Sequence, residues 1–254
     1  MLGAHLSKST AIDDLEVIGG EICQIFISNP RSYYPPTKGD LVNFKPYAKN
    51  LVVHLPYLVN PASEGDEVRA NSMKLLLNTS KGMGADYLGL VVHAGQGGKK
   101  ASVEEAIERW LKLFKGEGFE TRLLIENTAG GNAAPGRSLE DLVTLVKGLR
   151  EMDLNVGVCY DTCHAWAAGV GELTKGFIFL EEELGKVDLI HFNDSRDELG
   201  SARDRHALLQ KGLIPWKELV ELYRYAAKKD VNMILETPGD TTLWKEEILL
   251  LKSL

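Results

Sequence analysis

An alternation runs through this chain: short runs rich in Val, Ile and Leu, each followed by a longer amphipathic segment. Such runs are apolar on both faces, as strands buried on both sides of a parallel sheet must be, and their repetition predicts βα units. Eight strands are expected, at Leu2–His5, Ile22–Ser28, Leu51–Leu55, Tyr87–His93, Arg122–Glu126, Val156–Asp161, Val187–Phe192 and Met233–Glu236. Helix starts are marked by Ser102-Val-Glu-Glu105, by Ser138-Leu-Glu-Asp141 and by Pro215, which opens PWKELVELYRYAAKK. A (β/α)8 barrel takes about 250 residues. The 254 residues therefore predict an α/β fold, a TIM barrel forming a single catalytic domain over residues 1–254.

The polar residues fall at particular places in this pattern. His54 ends LVVH, His93 ends GLVVH, Glu126 ends RLLIE, Asp161 ends VGVCYD, His191 ends DLIH and Glu236 ends MILE. In a barrel of this kind the strand C-termini converge on one face, where active sites are built. One such histidine is more often a hydrogen-bonded residue at a strand end. Six ligand types on one rim would instead bury several charges side by side, and buried charges need partners or metal. Asp161-Thr-Cys-His164 adds His164 one turn past its strand, and Asp204-Arg-His206 adds Asp204 and His206 from a loop. Nine ligands with no Cys suit Zn2+, with Mn2+ or Fe2+ as substitutes, and three ions sharing a carboxylate is the economical count. His5 is left without a role, as either a residue behind the ligands or a packed strand-end side chain, the second being favoured.

Composition excludes little more. The formal net charge of −7 opposes nucleic-acid binding only until metal is counted, since three divalent ions offset nearly all of it. Cys23, Cys159 and Cys163 form no CxxC pair and read as buried free thiols. The first 20 residues carry acids where a signal peptide has an apolar run, and no segment reads as a membrane span. The chain is accordingly expected to be cytoplasmic with no membrane partner, and it is taken to be a monomer.

The residues resemble the endonuclease IV family of abasic-site endonucleases nearly end to end. The resemblance is carried by GAH at 3–5, NPR at 29–31, HLPYLVN at 54–60, VVHAG at 91–95, IENTAG at 125–130, YDTCHAWAAG at 160–169, HFNDS at 191–195, DRH at 204–206 and ILETPGD at 234–240. It implies a TIM barrel with three zinc ions. One ion would be held by His54, His93 and Glu126, a second by Glu126, Asp161, His191 and Glu236, and a third by His164, Asp204 and His206. It further implies hydrolysis of the phosphodiester 5′ to abasic sites in double-stranded DNA, leaving a 3′-hydroxyl and a 5′-deoxyribose phosphate, and trimming of blocked 3′ ends. Glu126 would be catalytic, orienting the nucleophile. Arg31 and Tyr57 would enter the DNA at the lesion, against plainer readings of an exposed arginine and a half-buried tyrosine. One departure is visible: the family often carries Gly-x-Gly after DRH, where this chain has LLQKGLIP with Gln210 at the first glycine.

Two other readings compete. A sugar isomerase or epimerase on a related barrel would use Glu126, Asp161, His191 and Glu236 for one metal and a polyol, but gives the other five ligands no work. A non-catalytic DNA-binding protein would need the cluster to be structural, yet structural zinc sites are closed and Cys-rich.

Overall fold

The computed structural model describes residues 1–254. Its strands are β1 Leu2–His5, β2 Ile22–Phe26, β3 Leu51–His54, β4 Gly89–His93, β5 Leu123–Glu126, β6 Val156–Asp161, β7 Leu189–His191, β8 Asp194–Ser195, β9 His206–Ala207 and β10 Asn232–Leu235. Eight of them close a barrel in the order β1-β10-β7-β6-β5-β4-β3-β2, every pair of neighbours running parallel. The TIM barrel expected from the sequence is therefore the observed fold. β8 and β9 form a separate antiparallel pair that joins the HFNDS and DRH segments, so His206 opens a short strand rather than lying in a loop.

The helices are α1 Ala11–Val17, α2 Lys38–Phe44, α3 Asp66–Met83, α4 Val103–Phe114, α5 Leu139–Arg150, α6 Thr162–Ala168, α7 Leu173–Leu184, α8 Trp216–Ala227 and α9 Thr241–Lys252. The expected start signals operate. Ser102 and Glu105 form a reciprocal capping box on α4, the Ser138 hydroxyl accepts the Asp141 N–H on α5, and Pro215 precedes α8. Five strands are shorter than expected: β2 stops at Phe26, β3 stops at His54, β4 starts at Gly89, β5 starts at Leu123, and β7 spans only Leu189–His191, while β10 runs one residue earlier, Asn232–Leu235. Just before β7, Asp188 still donates its N–H to the Val158 carbonyl while its carboxylate pairs with Arg122.

Two apolar layers hold the barrel. Between strands and helices lies a large core containing Trp110, Phe114, Tyr160, Phe177 and Phe192, all fully buried. A second, smaller cluster takes one residue from each of seven strands: Ile22, Val52, Val91, Leu124, Cys159, Leu189 and Ile234. The eighth strand contributes Gly3, whose register partners are Ile22 and Ile234 and where a Cβ would lie 1.5 Å from the Ile22 carbonyl oxygen. This ring is an apolar plug.

Side chains two residues apart on a strand share a face. Two residues beyond each plug position stand His5, Gln24, His54, His93, Glu126, Asp161, His191 and Glu236. The barrel thus carries a polar ring of eight on top of its plug, one member per strand.

Candidate metal centre

Glu126 is the hub of this ring and is fully buried. Its Oε2 lies 3.1 Å from His54 Nε2 and 3.0 Å from His93 Nε2. Its Oε1 lies 2.9 Å from His191 Nδ1 and 3.3 Å from His164 Nδ1. His191 Nδ1 is also 3.1 Å from Glu236 Oε2. Further out, Asp204 sits between two imidazoles, with Oδ2 3.2 Å from His164 Nε2 and Oδ1 3.2 Å from His206 Nε2. His164 is placed by its own helix start, because its N–H donates to Asp161 Oδ1 at 2.6 Å, the N-cap of α6.

The donor atoms form two of the expected groups with all atoms within 4.8 Å of one another: His54, His93 and Glu126, and Glu126, Asp161, His191 and Glu236. On the outer side the same distance gathers Asp161, His164 and His206, and separately Cys163, Asp204 and His206. The outer ligands therefore meet through Asp204 and are shared with Asp161, a looser grouping than the separate triad expected. Cys163 is a buried thiol whose pKa burial pushes up to about 12.

The orientation of the imidazoles tests whether a cation fits. A carbonyl oxygen only accepts, so a ring nitrogen against one must carry the proton. His54 Nδ1 meets Leu55 O at 2.7 Å, His164 Nδ1 meets Asn127 O at 3.0 Å, and His206 Nδ1 meets Glu236 O at 3.1 Å. In each ring the second nitrogen faces carboxylates, and His206 Nε2 is buried without a hydrogen-bond partner. Lone pairs aimed at carboxylate oxygens repel unless a proton or a cation stands between them. Tetrahedral zinc with bonds of about 2.0–2.1 Å places neighbouring donors about 3.4 Å apart, close to the separations here. The all-N/O donor set fits a divalent cation.

Electrostatics point the same way. Burial would raise the Glu126 carboxyl, but His93, His191 and His164 hold it well below the ordinary carboxylate range. Burial opposes charge on His191 and His164 too, yet Cys159, Glu236 and Glu126 around the first, and Asp161, Asp204 and Glu126 around the second, keep both imidazoles well above their usual range. His206 likewise rises to about 9, burial being outweighed by Asp204 and Asp161. For Asp161, burial prevails and the carboxyl is raised. Protons collect on imidazoles where a cation would otherwise stand.

Four residues behind the ligands carry little or no signal in the sequence. Gln24 is fully buried and touches His5, His191 and Glu236. His5, favoured as a packed strand-end residue, instead puts Nδ1 3.1 Å from Glu236 Oε1. Asn193 donates to Asp161 Oδ2 at 2.8 Å and accepts the Glu236 N–H at 2.8 Å. Asn127 holds the Asp161 backbone through both ends of its amide.

A cavity of about 280 Å3 opens over the ring between His5, Phe26, Tyr57, His206 and Trp244, and a second of about 360 Å3 adjoins it across Tyr57, His93, His164 and Asp204. Tyr57 stands at their shared mouth, 62% exposed, with its ring 5.1 Å from that of Phe26. Arg31 is exposed in the loop after β2, its N–H bonded to Asn29 Oδ1. Tyr33 Oη donates to Leu58 O at 2.7 Å and so ties the Arg31 loop to the Tyr57 loop. The largest cavity, about 620 Å3, lies between the segments 131–141 and 168–179 and includes none of the nine ligand residues. Beyond DRH, Gln210 adopts the left-handed conformation at φ 66. The loop that follows is strapped to Asp194, whose carboxylate accepts the N–H groups of Gly212 and Ile214 at 3.0 Å each.

Comparison with known proteins places the chain in a family. Residues 12–254 match the family of xylose isomerase-like TIM barrels. A probable endonuclease 4 of Mycobacterium ulcerans (strain Agy99) is 36% identical over 241 residues, covering 93% of this chain and 92% of the relative. The crystal structure of endonuclease IV from Thermus thermophilus superposes with a TM-score of 0.81 at 30% identity, covering 99% of this chain and 97% of that one. A 3-keto-D-glucoside 4-epimerase from E. coli superposes at 0.69 with 14% identity, a likeness of fold alone.

Proposed function

Because this chain belongs to the endonuclease IV family, we propose that it is a DNA-repair endonuclease that hydrolyses the phosphodiester 5′ to abasic sites with three zinc ions on its barrel rim. The observation that carries this reading is the inward turn of the imidazoles over a carboxylate hub: His54, His164 and His206 each commit one nitrogen to a carbonyl and aim the other at the cluster. His54, His93 and Glu126 would hold one ion, Glu126, Asp161, His191 and Glu236 a second, and His164, Asp204 and His206 the third. Mn2+ or Fe2+ would substitute on the same donors.

When bound, zinc supplies Lewis acidity, bringing the pKa of a coordinated water to about 7. Glu126, with its two oxygens turned to opposite halves of the cluster, orients the attacking water. Four carboxylates against three divalent ions leave two positive charges facing the solvent, which suits a phosphodiester despite the acidic chain. Tyr57 and Arg31, on loops tied together by Tyr33, enter the DNA beside the lesion. Flipping a nucleotide out of the stack costs a few kcal/mol, and least where the base is already missing. Water attack at the 5′ phosphate leaves a 3′-hydroxyl and a 5′-deoxyribose phosphate, and the same site removes blocking groups from 3′ ends. The whole of residues 1–254 works as one catalytic domain, as a cytoplasmic monomer.

The test is an end-labelled duplex with one tetrahydrofuran abasic analogue, incubated with zinc-loaded protein. The analogue has no aldehyde, so β-elimination cannot cut it. A single cut 5′ of the analogue, with a 3′ end that a polymerase extends, is the expected outcome. An intact duplex beside a folded, zinc-loaded protein would sink the reading.

A further inference from the structure

The donors of the proposed inner ion lie against a residue with no place among the ligands. Gln24 comes from β2, two residues beyond its plug residue Ile22, and fills that strand's place in the polar ring. Its amide nitrogen lies 2.7 Å from Glu236 Oε1, and its amide oxygen lies 2.8 Å from His191 Nε2. The chemistry leaves one assignment. An ionised carboxylate only accepts, so the atom against Glu236 is the NH2 group. The other end of the amide is then the carbonyl oxygen, which also only accepts. His191 Nε2 must therefore be the donor, so in the neutral ring that a metal ligand requires the lone pair is on Nδ1, the atom 2.9 Å from Glu126 and 3.1 Å from Glu236.

Elsewhere in the ring this service is done by main chain: carbonyls of Leu55, Asn127 and Glu236 set His54, His164 and His206. His191 is turned the other way, with Nδ1 rather than Nε2 facing the cluster. A side chain reaching across from β2 replaces the carbonyl.

We propose that Gln24 is a positioning residue for the inner metal: its carbonyl fixes the proton of His191 on Nε2 and so presents Nδ1 as the ligand, while its NH2 group holds Glu236 in place. The inference rests on the metal reading above and names which nitrogen of His191 binds. Groups that orient metal ligands are typically worth 10–100-fold in metal affinity.

The experiment uses the full chain. Zinc binding is titrated against a chromophoric chelator for the wild type, for Gln24→Leu and for Gln24→Glu. The histidine nitrogens of the zinc-loaded, 15N-labelled wild type are read by two-bond proton–nitrogen correlation. Gln24→Leu removes the contacts to His191, Glu236 and His5, whereas Gln24→Glu keeps an acceptor for His191 and loses the NH2 group that faces Glu236 and His5. The expected result is a metal-bound Nδ1 and a protonated Nε2 on His191, with one zinc equivalent weakened about 10–100-fold in the Leu variant and the others unmoved. The Glu variant keeps the His191 proton on Nε2 and still weakens that same equivalent. Coordination through Nε2, unchanged zinc affinity in the Leu variant, or a loss spread over all equivalents in step with a fall in Tm would overturn the proposal and leave the metal reading standing. A wild type that binds no zinc would overturn both.

Discussion

At the end of the barrel where the strands begin, Arg122 places Nε 2.9 Å and Nη2 3.1 Å from the Asp188 carboxylate and Nη1 2.7 Å from Asn155 Oδ1. Lys186 Nζ reaches the same carboxylate at 2.7 Å, Val158 donates its N–H to it, and Arg150 binds the carbonyls of Val156 and Leu184. Even Gly157 serves this pair, since a Cβ there would sit 1.9 Å from Asp188 Oδ2. At the end where the strands finish, carboxylates face imidazole lone pairs and His206 Nε2 has no hydrogen-bond partner. Both ends gather charge. The first resolves it within the protein and closes the barrel, while the second needs something added. A charge cluster that satisfies itself is structure, and one that does not is a site.

The largest break in this comparison is Glu126→Gln. On the proposed reading, in which two ions share this carboxylate, its removal takes away several kcal/mol of transition-state stabilisation, on the order of 10³-fold in kcat. Bound zinc falls with it, while the Tm of the EDTA-treated protein stays near that of the wild type. Steady-state cleavage, metal analysis and melting check these together, and a variant with normal zinc and normal turnover would contradict the shared-ligand role. Asp188→Ala should act in the opposite sense. It strands Arg122, which is 26% exposed and partly solvated, so the loss is held to about 2 kcal/mol rather than the full cost of breaking a buried pair. That lowers Tm by about 4–8 °C in a chain of this size, with zinc content and kcat per folded molecule unchanged. A fall in zinc content would erase the distinction between the two ends. The smallest effect belongs to Gln210→Gly. Gln210 occupies the left-handed region at φ 66, so glycine should stabilise by no more than about 1 kcal/mol. Cleavage should stay within about twofold if this loop only packs against Asp194; a larger change would show that the loop meets the DNA.

The same contrast explains which residues are legible in the sequence. The six strand-end candidates announce themselves because a His, Asp or Glu closing a Val- or Leu-rich run has no packing reason to be there. Gln24 belongs to the same ring but is neutral and lies within ICQIFI, flanked by apolar residues on both sides. Its two-residue offset from Ile22 is the one signal it leaves, and that signal acquires meaning only once the plug is known. His5 is ambiguous for the same reason, since its strand offers Gly3 where the others offer a plug side chain. DRH stands out as a motif, but what holds it does not: Arg205 binds the Asp197 carboxylate through Nε and Nη2, pinning the loop that carries Asp204 and His206. Such pairs join segments through space and leave no periodicity in the sequence.

The most direct test counts the zinc bound per chain, by metal analysis after dialysis, for the wild type and for Asp204→Asn. Three equivalents in the wild type and two in the variant, with cleavage of the tetrahydrofuran duplex falling accordingly, is the expected result. A single equivalent that Asp204→Asn leaves untouched would mean that only Glu126, Asp161, His191 and Glu236 hold metal, as on a sugar-isomerase barrel, and would contradict the trinuclear rim.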